Sequence, residues 1–386
     1  MSGGIQPFSF STAGKILFGS GQSKHAANLI TAFGSTVMVV HGASHMRVEW
    51  LLNDVLERGG DVSCLSCPDE PSLMLLETAV DVARAIQPDV VVSVGGGSAI
   101  DLGKAVAALT PAMGQAIEYL EVIGAGKKLD NQPLPFVAIP TTAGTGAEVT
   151  KNAVISVLQK KRKVSLRDER MMADIAIIDP RLTDGLPRNI TLSAGLDAIT
   201  QVVEPYISCK ATPFSDALCK PAIPRGLAAL KRLMEGEDAA ARDEIAWVSL
   251  CSGLALANSG LGAVHGFAGV IGGHCGAPHG AICGALLPHV LRSNAKASVD
   301  QPHYAGRISE VCESVAEFTG AQDSDVALKM FEEWIHQNGL SRLSDMGVQT
   351  GDHGEIVEAA QASSSMKGNP VALSNEALLG VLASAG

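Results

Sequence analysis

Two side chains of one predicted helix could bind the same ligand. The segment "GLDAITQVVEPYIS", residues 195–208, reads as an amphipathic helix that carries Asp197 and Gln201 four positions apart. Side chains at positions i and i+4 of a helix lie one above the other on the same face. A carboxylate and a carboxamide placed in this way could bind the same ligand, and a metal ion is one candidate.

A glycine-rich turn could bind phosphate. The segment "VVVSVGGGSAIDLGKAVA", residues 90–107, is a buried strand that ends in three glycines and Ser98 and continues into a predicted helix. Backbone N–H groups at such a turn can point at one anion, and the helix N-terminus adds a favourable potential. The segment matches neither the G-x-G-x-x-G fingerprint nor the Walker pattern. We predict a phosphate cradle, with a purely structural turn as the alternative.

A second loop of similar character follows a later strand. The segment "IPTTAGTGAEVT", residues 139–150, offers the hydroxyl groups of Thr141, Thr142 and Thr145 beside further glycine. Loops at the carboxyl ends of parallel strands face the same crevice of an open α/β sheet. A dinucleotide would then have two anchor points.

The order of the predicted elements separates two domains. Short apolar runs alternate with helical stretches in the first half, which is typical of parallel strands joined by crossover helices. From about residue 190 onward the strand signals stop and helical periods run to the C-terminus. We therefore predict an α/β dinucleotide-binding domain over residues 1–186 and an all-α domain over 187–386. The predicted strands lie within 35–42, 61–66, 89–97, 133–146 and 174–180, and the predicted helices near 45–58 and 71–86.

Composition supports two domains and excludes one class of partner. A chain of 386 residues exceeds an ordinary single core, and 46% of its residues are hydrophobic. The formal net charge is −11, without a basic cluster to offset it. Binding to nucleic acid needs a concentrated face of lysine and arginine, so we expect no nucleic-acid partner.

A long stretch without charged residues needs a separate explanation. Residues 245–291 contain no Lys, Arg, Asp or Glu, but they include Asn258, His265, His274 and His279 together with repeated glycine. These residues suit lipid poorly, so a buried helix pair is expected there and no membrane partner.

The N-terminus and the cysteines bear on the compartment. Residues 1–20 lack the basic start, apolar core and cleavage site of a signal peptide, so we expect a cytoplasmic protein. Eight cysteines are too few for a disulfide scaffold in a chain of this length. Cys64 and Cys67 have Cys-x-x-Cys spacing, but no second pair with that spacing completes a zinc site.

Several motifs together resemble one enzyme family. The chain is similar over nearly its whole length to the iron-containing (group III) alcohol dehydrogenases, the family of lactaldehyde reductase and 1,3-propanediol dehydrogenase. The resemblance implies a dehydroquinate synthase-like fold, with an α/β dinucleotide-binding domain, an all-α domain and a metal in the cleft between them. The motifs, in chain order, are "GGGSAID", "IPTTAGTGAEVT", "DPRLTDGLP", "AGLDAIT", "HGFAG", "APHG" and "SMKGNP".

The resemblance also implies a metal site with one altered ligand. Family members bind a divalent metal, usually iron and sometimes zinc, through an Asp and three His. The Asp corresponds to Asp197 and two of the histidines to His265 and His279, whereas Gln201 stands where the remaining His is expected. A carboxamide oxygen is a weaker donor to iron or zinc than imidazole, so we expect lower metal affinity.

Three alternatives follow for Gln201. It is a ligand or a hydrogen-bonding group beside the metal; or the chain is a metal-free catalyst, as in the related maleylacetate reductases; or it is an inactive nucleotide-binding protein. The retained Asp197 favours the metal, because maleylacetate reductases generally carry Asn there.

Proton transfer and catalysis are expected from the same region. Asp197 is expected to act in catalysis as a metal ligand. Relatives often carry a further His four residues after a ligand, where this chain has Gly269. His274 could substitute for that His in proton transfer, with a role as a cleft-lining or core residue as the alternative.

The cofactor assignment follows from the resemblance. The pyrophosphate is expected on the glycine turn, the adenine and phosphate side against the threonines, and the nicotinamide half near Asn152 and Lys163. NAD-preferring relatives often place an Asp where Gly42 stands, so NADP should be tolerated as well as NAD. The complete expected set is Gly42, Gly95, Gly96, Gly97, Ser98, Asp101, Thr141, Thr142, Thr145, Asn152, Lys163 and Leu182.

The expected substrate is a small or medium alcohol and its aldehyde. The segment "SGLGAVHGFAG", residues 259–269, offers small, mostly apolar walls, and no arginine lies within the metal motifs. The segment "KVSLRDER", with Arg167 and Arg170, resembles the corresponding segment of maleylacetate reductases. A dicarboxylate substrate therefore stays an alternative. A homodimer or a higher homo-oligomer is expected.

Overall fold

The structure is a computed structural model that describes residues 7–386. These residues form two compact units, one of residues 11–184 and one of residues 185–386 together with 7–10. The units therefore divide between Asp184 and Gly185, close to the boundary at 186 predicted from sequence. The first six residues of the predicted domain 1–186 lie outside the described residues.

The unit of residues 11–184 is built on a parallel sheet. Six strands pair in the order β1-β8-β5-β4-β2-β3, and β6 and β7 form a separate antiparallel pair. All neighbours in the large sheet are parallel. Within the described residues the strands are β1 Lys15–Phe18, β2 Thr36–His41, β3 Asp61–Ser66, β4 Val90–Gly95, β5 Phe136–Pro140, β6 Asn152–Val157, β7 Arg162–Arg167 and β8 Ile175–Ile178.

The central strands are apolar because both faces of the sheet are covered. Every residue of β4 and of β5 is buried. The helices of this unit are α1 Ala26–Ile30, α2 Glu49–Glu57, α3 Leu73–Ile86, α4 Gly97–Leu109 and α5 Ala116–Tyr119.

Five of the predicted strands are confirmed, and three further strands were missed. The missed strand β1 has only four residues and lies at the edge of the sheet beside β8. The missed strands β6 and β7 alternate more exposed and more buried positions across a short hairpin. Such short segments carry a weak periodic signal, since alternation over a few residues is also common in loops.

The other unit is helical, which confirms the predicted all-α class for the C-terminal half. Within residues 185–386, as far as the structure describes them, there is no strand. Its helices are α6 Arg188–Ile207, α7 Pro213–Glu235, α8 Ala239–Ser259, α9 Ala263–Cys275, α10 His279–Ala297, α11 Pro302–Thr319, α12 Ser324–Gln337, α13 His353–Ala362 and α14 Asn375–Ala385.

The prediction of an amphipathic helix at residues 195–208 was wrong in one respect. The helix is present as α6, but every residue from 195 to 207 is buried. Neighbouring helices α7, α8 and α10 pack around it, so no face of this segment is left to water. Polar side chains on α6 therefore need partners inside the protein.

The stretch without charged residues forms three helices rather than the predicted pair. Residues 245–291 contribute to α8, α9 and α10. Among the described residues, no single helix is long and apolar enough to cross a membrane. Within residues 7–386, one bent pair, α8 and α9 taken together, reaches that length and composition, and its two helices are bent by 98° at the break between them.

Candidate functional site

The two predicted phosphate-binding loops lie side by side at the carboxyl edge of the sheet. The glycine turn follows β4 and the threonine loop follows β5, and these strands are neighbours. A Cβ on Gly96 would lie 3.2 Å from Thr142 Oγ1, and one on Gly97 would lie 2.8 Å from Thr145 Oγ1. Glycine at both positions therefore lets the backbone of the turn approach the threonine loop.

The first turn of α4 is suited to an anion. Its N-cap residue, Gly96, has no side chain to accept from the N–H groups of that turn, and Gly97 and Ser98 are only half-buried. The N–H groups at a helix N-terminus favour negative charge. Together with the neighbouring threonines, the turn fits the pyrophosphate of a dinucleotide.

Gly42 adjoins this turn at the end of β2. A Cβ on Gly95 would lie 3.1 Å from Gly42 N, so the two segments are in close contact. A Cβ on Gly42 itself would meet no atom within 4 Å. Thr141, buried, begins the neighbouring loop and donates its N–H to Gly95 O at 2.9 Å. The structure thus brings together the predicted set from Gly42 to the threonines.

The remaining predicted cofactor residues are spread over neighbouring elements. Asp101, in α4, accepts from Val154 N at 2.9 Å and so ties the helix to β6, the strand that begins at Asn152. Lys163, in β7, donates to Glu70 Oε1 at 2.6 Å. Leu182 follows β8 in a 3-10 turn and packs against the hydrophobic core. Their contact with a cofactor stays a prediction.

Lys104 forms hydrogen bonds to the threonine loop that follows β5. It is fully buried, and its Nζ donates to Ala147 O at 2.7 Å, Thr150 Oγ1 at 2.9 Å and Asn152 O at 2.9 Å. Burial lowers the pKa of Lys104 to about 8, against the opposing charges of nearby carboxylates. Its role is to fix the loop that follows β5.

The two arginines that favoured a dicarboxylate substrate are engaged in ion pairs. Arg167 lies 3.2 Å from Glu121. Arg170 contacts Asp168 at 2.9 Å and also donates to Leu129 O at 2.8 Å. Because both guanidinium groups have carboxylate partners, this geometry does not favour a carboxylate clamp.

Four side chains of the helical unit converge on one point. One ligand atom from each of Asp197, His265, His279 and Cys283 lies within 4.8 Å of the other three. Asp197 Oδ1 is 3.5 Å from His265 Nε2 and 3.7 Å from His279 Nε2. This oxygen is buried and has no hydrogen-bond partner among the described residues. A buried carboxylate oxygen facing two imidazole nitrogens fits a divalent cation.

Close packing of α10 on α6 creates this convergence. A Cβ on Gly280 would lie 2.3 Å from Ser193 O, and one on Gly284 would lie 2.6 Å from Leu196 Cδ1. These two glycines let the helix backbones approach, and His279 and Cys283 directly precede them in the chain. The side chain of His279 is 33% exposed, so the cluster is open on its side.

Glu204 fixes the orientation of His265. It lies on α6, seven residues after Asp197, and is buried. His265 Nδ1 donates to Glu204 Oε2 at 2.7 Å, so the lone pair of Nε2 is directed to the cluster. Val264 N donates to the other carboxylate oxygen at 2.6 Å. A carboxylate behind a ligating histidine is a common arrangement in metal sites, where it sets the tautomer.

The C-terminal motif "SMKGNP" contributes Asn369, which contacts the start of α9. Asn369 Oδ1 accepts from Ala263 N at 3.1 Å and from Asn294 Nδ2 at 3.2 Å. Asn369 Nδ2 donates to Asn294 Oδ1 at 2.7 Å. With Glu204, Asn369 satisfies the first N–H groups of α9, which carries His265 in its first turn.

Gln201 is anchored to α8. It is buried one turn after Asp197, and its Nε2 donates to Ser252 Oγ at 2.9 Å. Ser252 Oγ in turn donates to Ser249 O at 2.7 Å. The predicted role of Gln201 as a metal ligand is not tested by these contacts and stays a prediction.

The charges in the cluster stabilise one another. Burial opposes ionisation of Asp197, but the charges of His279 and His265 hold the pKa of that carboxyl below its usual range. Burial likewise opposes protonation of His265, yet Cys283, Asp197 and Glu204 raise its pKa well above the usual value. Protons and a cation would therefore compete for the same imidazole nitrogens.

His274 and Gly269 lie on α9 with His265 but differ in their surroundings. His274 is nine residues beyond His265, about 13 Å along the helix axis at 1.5 Å per residue. Its Nε2 is 3.3 Å from Asp352 Oδ2. A Cβ on Gly269 would meet no atom within 4 Å, so a larger side chain fits there. The catalytic role of His274 stays a prediction.

Sequence reasoning missed two members of this region. Glu204 was inside the opening segment, at the i+7 position from Asp197, and Cys283 follows His279 by one helical turn. Helical spacing was the signal that could have found both. The Cys-x-x-Cys pair, by contrast, has Cys64 exposed and Cys67 buried, both as free thiols.

Similarity to known proteins agrees with this geometry. Residues 13–180 match the iron-containing alcohol dehydrogenase family, and residues 191–386 match the C-terminal Fe-containing alcohol dehydrogenase family. The probable alcohol dehydrogenase EutG of Escherichia coli is 33% identical over 87% of this chain and 82% of its own length. The NAD-dependent methanol dehydrogenase of Bacillus methanolicus is 32% identical over 79% of each chain. A crystal structure of 1,3-propanediol oxidoreductase is 28% identical, covers 99% of this chain and 100% of its own, and has a TM-score of 0.87.

The fold and the site thus define a metal-assisted oxidoreductase of the α/β plus all-α type. The chain belongs to the iron-containing alcohol dehydrogenase family. It is an alcohol dehydrogenase that uses NAD(P) and a divalent metal, as predicted from the motifs.

Proposed function

We propose that Asp197, His265 and His279 hold the divalent metal of this NAD(P)-dependent enzyme and that its substrates are small or medium alcohols and aldehydes. The observation that carries the proposal is the buried Asp197 Oδ1, which has no hydrogen-bond partner among the described residues and faces two imidazole nitrogens.

Each residue has a distinct part in this chemistry. A divalent cation, when bound, acts as a Lewis acid that polarises a carbonyl and stabilises negative charge on the substrate oxygen. The nicotinamide supplies or accepts the hydride. Asp197 contributes an anionic oxygen to the cation, and Glu204 accepts from His265 Nδ1 and so orients the ring with Nε2 towards the cation. The reduction consumes an aldehyde, NAD(P)H and one proton and yields the alcohol and NAD(P)+.

The cofactor is proposed to bind at the glycine and threonine loops of the other unit. The close approach of Gly96 and Gly97 to Thr142 and Thr145 supports a pyrophosphate there. The glycine at residue 42 supports acceptance of NADP as well as NAD, since it supplies no carboxylate that would repel a 2′-phosphate.

The proposed substrate is uncharged. The chain around His265 consists of small, mostly apolar residues, and Arg167 and Arg170 are paired with carboxylates. Neither Arg167 nor Arg170 is therefore available as an unpaired cation for a dicarboxylate substrate. This supports aldehyde reduction over a metal-free maleylacetate reductase activity.

The test compares Asp197→Asn with the exposed control Asp300→Asn. We expect wild type and the control to reduce short aldehydes with NADH or NADPH, to lose this activity on chelation and to regain it with iron or zinc. Asp197→Asn should lose bound metal, and its kcat/KM should fall at least about 100-fold, because metal assistance contributes several kcal/mol. Unchanged metal content and activity in Asp197→Asn, or chelator-resistant turnover of wild type, would contradict the proposal.

Three further expectations stay proposals. For His274, proton transfer would show as an altered pH profile of kcat in His274→Gln, whereas a partner of Asp352 alone would leave that profile unchanged. A homodimer or higher homo-oligomer would show as a multiple of the 39.8 kDa chain mass in light scattering. A cytoplasmic location would show in cell fractionation.

A further inference from the structure

We propose that the thiolate of Cys283 is the fourth protein ligand of the metal, so that this chain has an Asp-His-His-Cys site. The proposal rests on the metal role proposed above for Asp197, His265 and His279. The family resemblance predicts a histidine ligand at residue 201, where this chain has Gln. We assign the place of that missing ligand to Cys283.

The distances suit coordination. Cys283 Sγ lies 3.7 Å from His279 Nε2 and 3.9 Å from His265 Nε2. Around a tetrahedral zinc ion with ordinary bond lengths, sulfur and nitrogen ligands are about 3.6 Å apart. A cation placed among the four atoms would therefore need only a small contraction of the cluster.

The helix geometry places the sulfur on the correct face. Cys283 follows His279 by one turn of α10, so both side chains project from the same side of that helix. Each is followed by one of the glycines, Gly280 and Gly284, that press α10 against α6. Cys283 is completely buried, with an exposure of 0%, where α6, α9 and α10 bring the four candidate ligand atoms together.

Cys283 differs in its surroundings from the other buried cysteines of this unit. Among the residues that the structure describes, the group formed by Asp197, His265, His279 and Cys283 is the one cluster of this kind, and Cys251 and Cys312 belong to none. A buried cysteine packed as a small apolar residue needs no such neighbours. Two imidazoles and a carboxylate around a sulfur atom are instead typical of a metal site.

The contacts of Gln201 agree with this assignment. Its amide nitrogen is anchored to Ser252 Oγ at 2.9 Å, which links α6 to α8. With Cys283 in the set, four protein ligands are available without a carboxamide oxygen. The loss of imidazole at residue 201 is then compensated from α10, one turn beyond a retained ligand.

A thiolate changes what the site prefers. Asp197 and a Cys283 thiolate together would supply two negative charges to a divalent cation. Soft thiolate ligands favour zinc, whereas harder nitrogen and oxygen sets discriminate less against iron. We therefore expect a higher ratio of zinc to iron(II) affinity in this chain than in a variant whose fourth ligand is imidazole.

The first experiment replaces the metal with cobalt(II), whose thiolate complexes show a sulfur-to-metal charge-transfer band in the near ultraviolet. The full-length wild type and the control Cys251→Ser should show this band, and Cys283→Ser and Cys283→Ala should lose it. Zinc affinity of the Cys283 variants should fall by more than the about 10- to 100-fold typical for loss of an outer partner. Circular dichroism checks that each variant is folded.

The second experiment replaces the proposed thiolate ligand on α10 with an imidazole ligand at residue 201 on α6. The double variant Gln201→His with Cys283→Ala should bind cobalt without the charge-transfer band, and its ratio of zinc to iron(II) affinity should fall at least about tenfold. This variant keeps four ligands, so it separates loss of a thiolate from loss of the site.

The outcomes distinguish this proposal from the one on which it rests. Wild type that binds cobalt stoichiometrically without the band would overturn the role of Cys283 and leave the metal site intact. Wild type that binds neither cobalt nor zinc would overturn both. A band that survives in folded Cys283→Ala would assign the sulfur to another cysteine and equally overturn the proposal.

Discussion

At the scale of single residues, Glu204 decides whether His265 can act as a ligand. Its carboxylate holds the proton on Nδ1, and without it the imidazole could rotate or change tautomer. A residue of this kind touches no substrate, yet it controls the direction of a lone pair. Its effect should therefore appear in metal binding before it appears in chemistry.

We expect Glu204→Gln to weaken zinc binding by about 10- to 100-fold, the range typical for loss of such a partner. The carboxamide can still accept from Nδ1, so the loss should be partial. A competition titration with a chromophoric chelator measures the affinity. Glu237→Gln serves as the control, since this exposed residue pairs with Arg242 on another part of the surface. Equal affinities for both variants would contradict a positioning role.

At the scale of elements, the contact between α6 and α10 depends on residues without side chains. The ligand atoms converge because Gly280 and Gly284 leave no Cβ between the helices. Any side chain added there has to push the helices apart, which would also move His279 and Cys283 away from Asp197.

Gly280→Ala should therefore reduce both stability and metal affinity. Its Cβ would meet Ser193 O at 2.3 Å, and overpacking of this kind typically costs about 1 to 3 kcal/mol. Gly306→Ala in α11 is the matched control, because its Cβ would meet no atom within 4 Å. The control should gain stability by about 0.5 to 1 kcal/mol. Thermal unfolding and metal titration of the pair measure both effects, and equal behaviour would refute the packing argument.

A second element-scale prediction concerns the loop after β5. Burial raises the pKa of Glu148 to about 7, against the stabilising charge of Lys104. The folded protein thus holds this proton more tightly than the unfolded chain. The associated stability is complete below the unfolded pKa and is lost as the pH rises through about 7.

Glu148→Gln should remove this pH dependence. Between pH 5 and pH 7.5, wild type should lose up to about 3 kcal/mol relative to the variant, at about 1.4 kcal/mol per pKa unit. The window lies below the pKa of Lys104, about 8, whose effect has the opposite sign. Calorimetric melting temperatures at several pH values, with exposed Glu57→Gln as control, measure the difference. Parallel curves for wild type and Glu148→Gln would contradict the prediction.

At the scale of the whole molecule, the sequence predicted the class of each half and most of the central sheet. Long apolar runs such as that of β4 have few alternatives to a buried parallel strand. Short edge strands, such as β1 beside β8, depend on neighbours that are distant in sequence. Local periodicity could not reveal them.

The candidate metal-binding residues were predictable where they lie in recognisable motifs, and they were missed where their position depends on helix packing. Asp197, His265 and His279 were found in recognisable segments, and the structure brings them together. Cys283 has no signature except its spacing from His279. Its nearness to Asp197 follows from the approach of α10 to α6, which no single segment encodes. The same limit applies to Glu204, whose partner is 61 residues away.

The first segment of the helical unit, residues 7–10, is translated long before the rest of that unit. Residues 7–10 belong to this unit, and the ring of Phe10 packs against Phe214 with centroids 4.2 Å apart. At about 5 to 20 residues per second, a ribosome needs about 10 to 40 s between these two phenylalanines. The whole of residues 11–184 is translated during that interval. Phe10 therefore emerges long before its aromatic partner exists, and the helical unit can close around its first segment only after the sheet has been made.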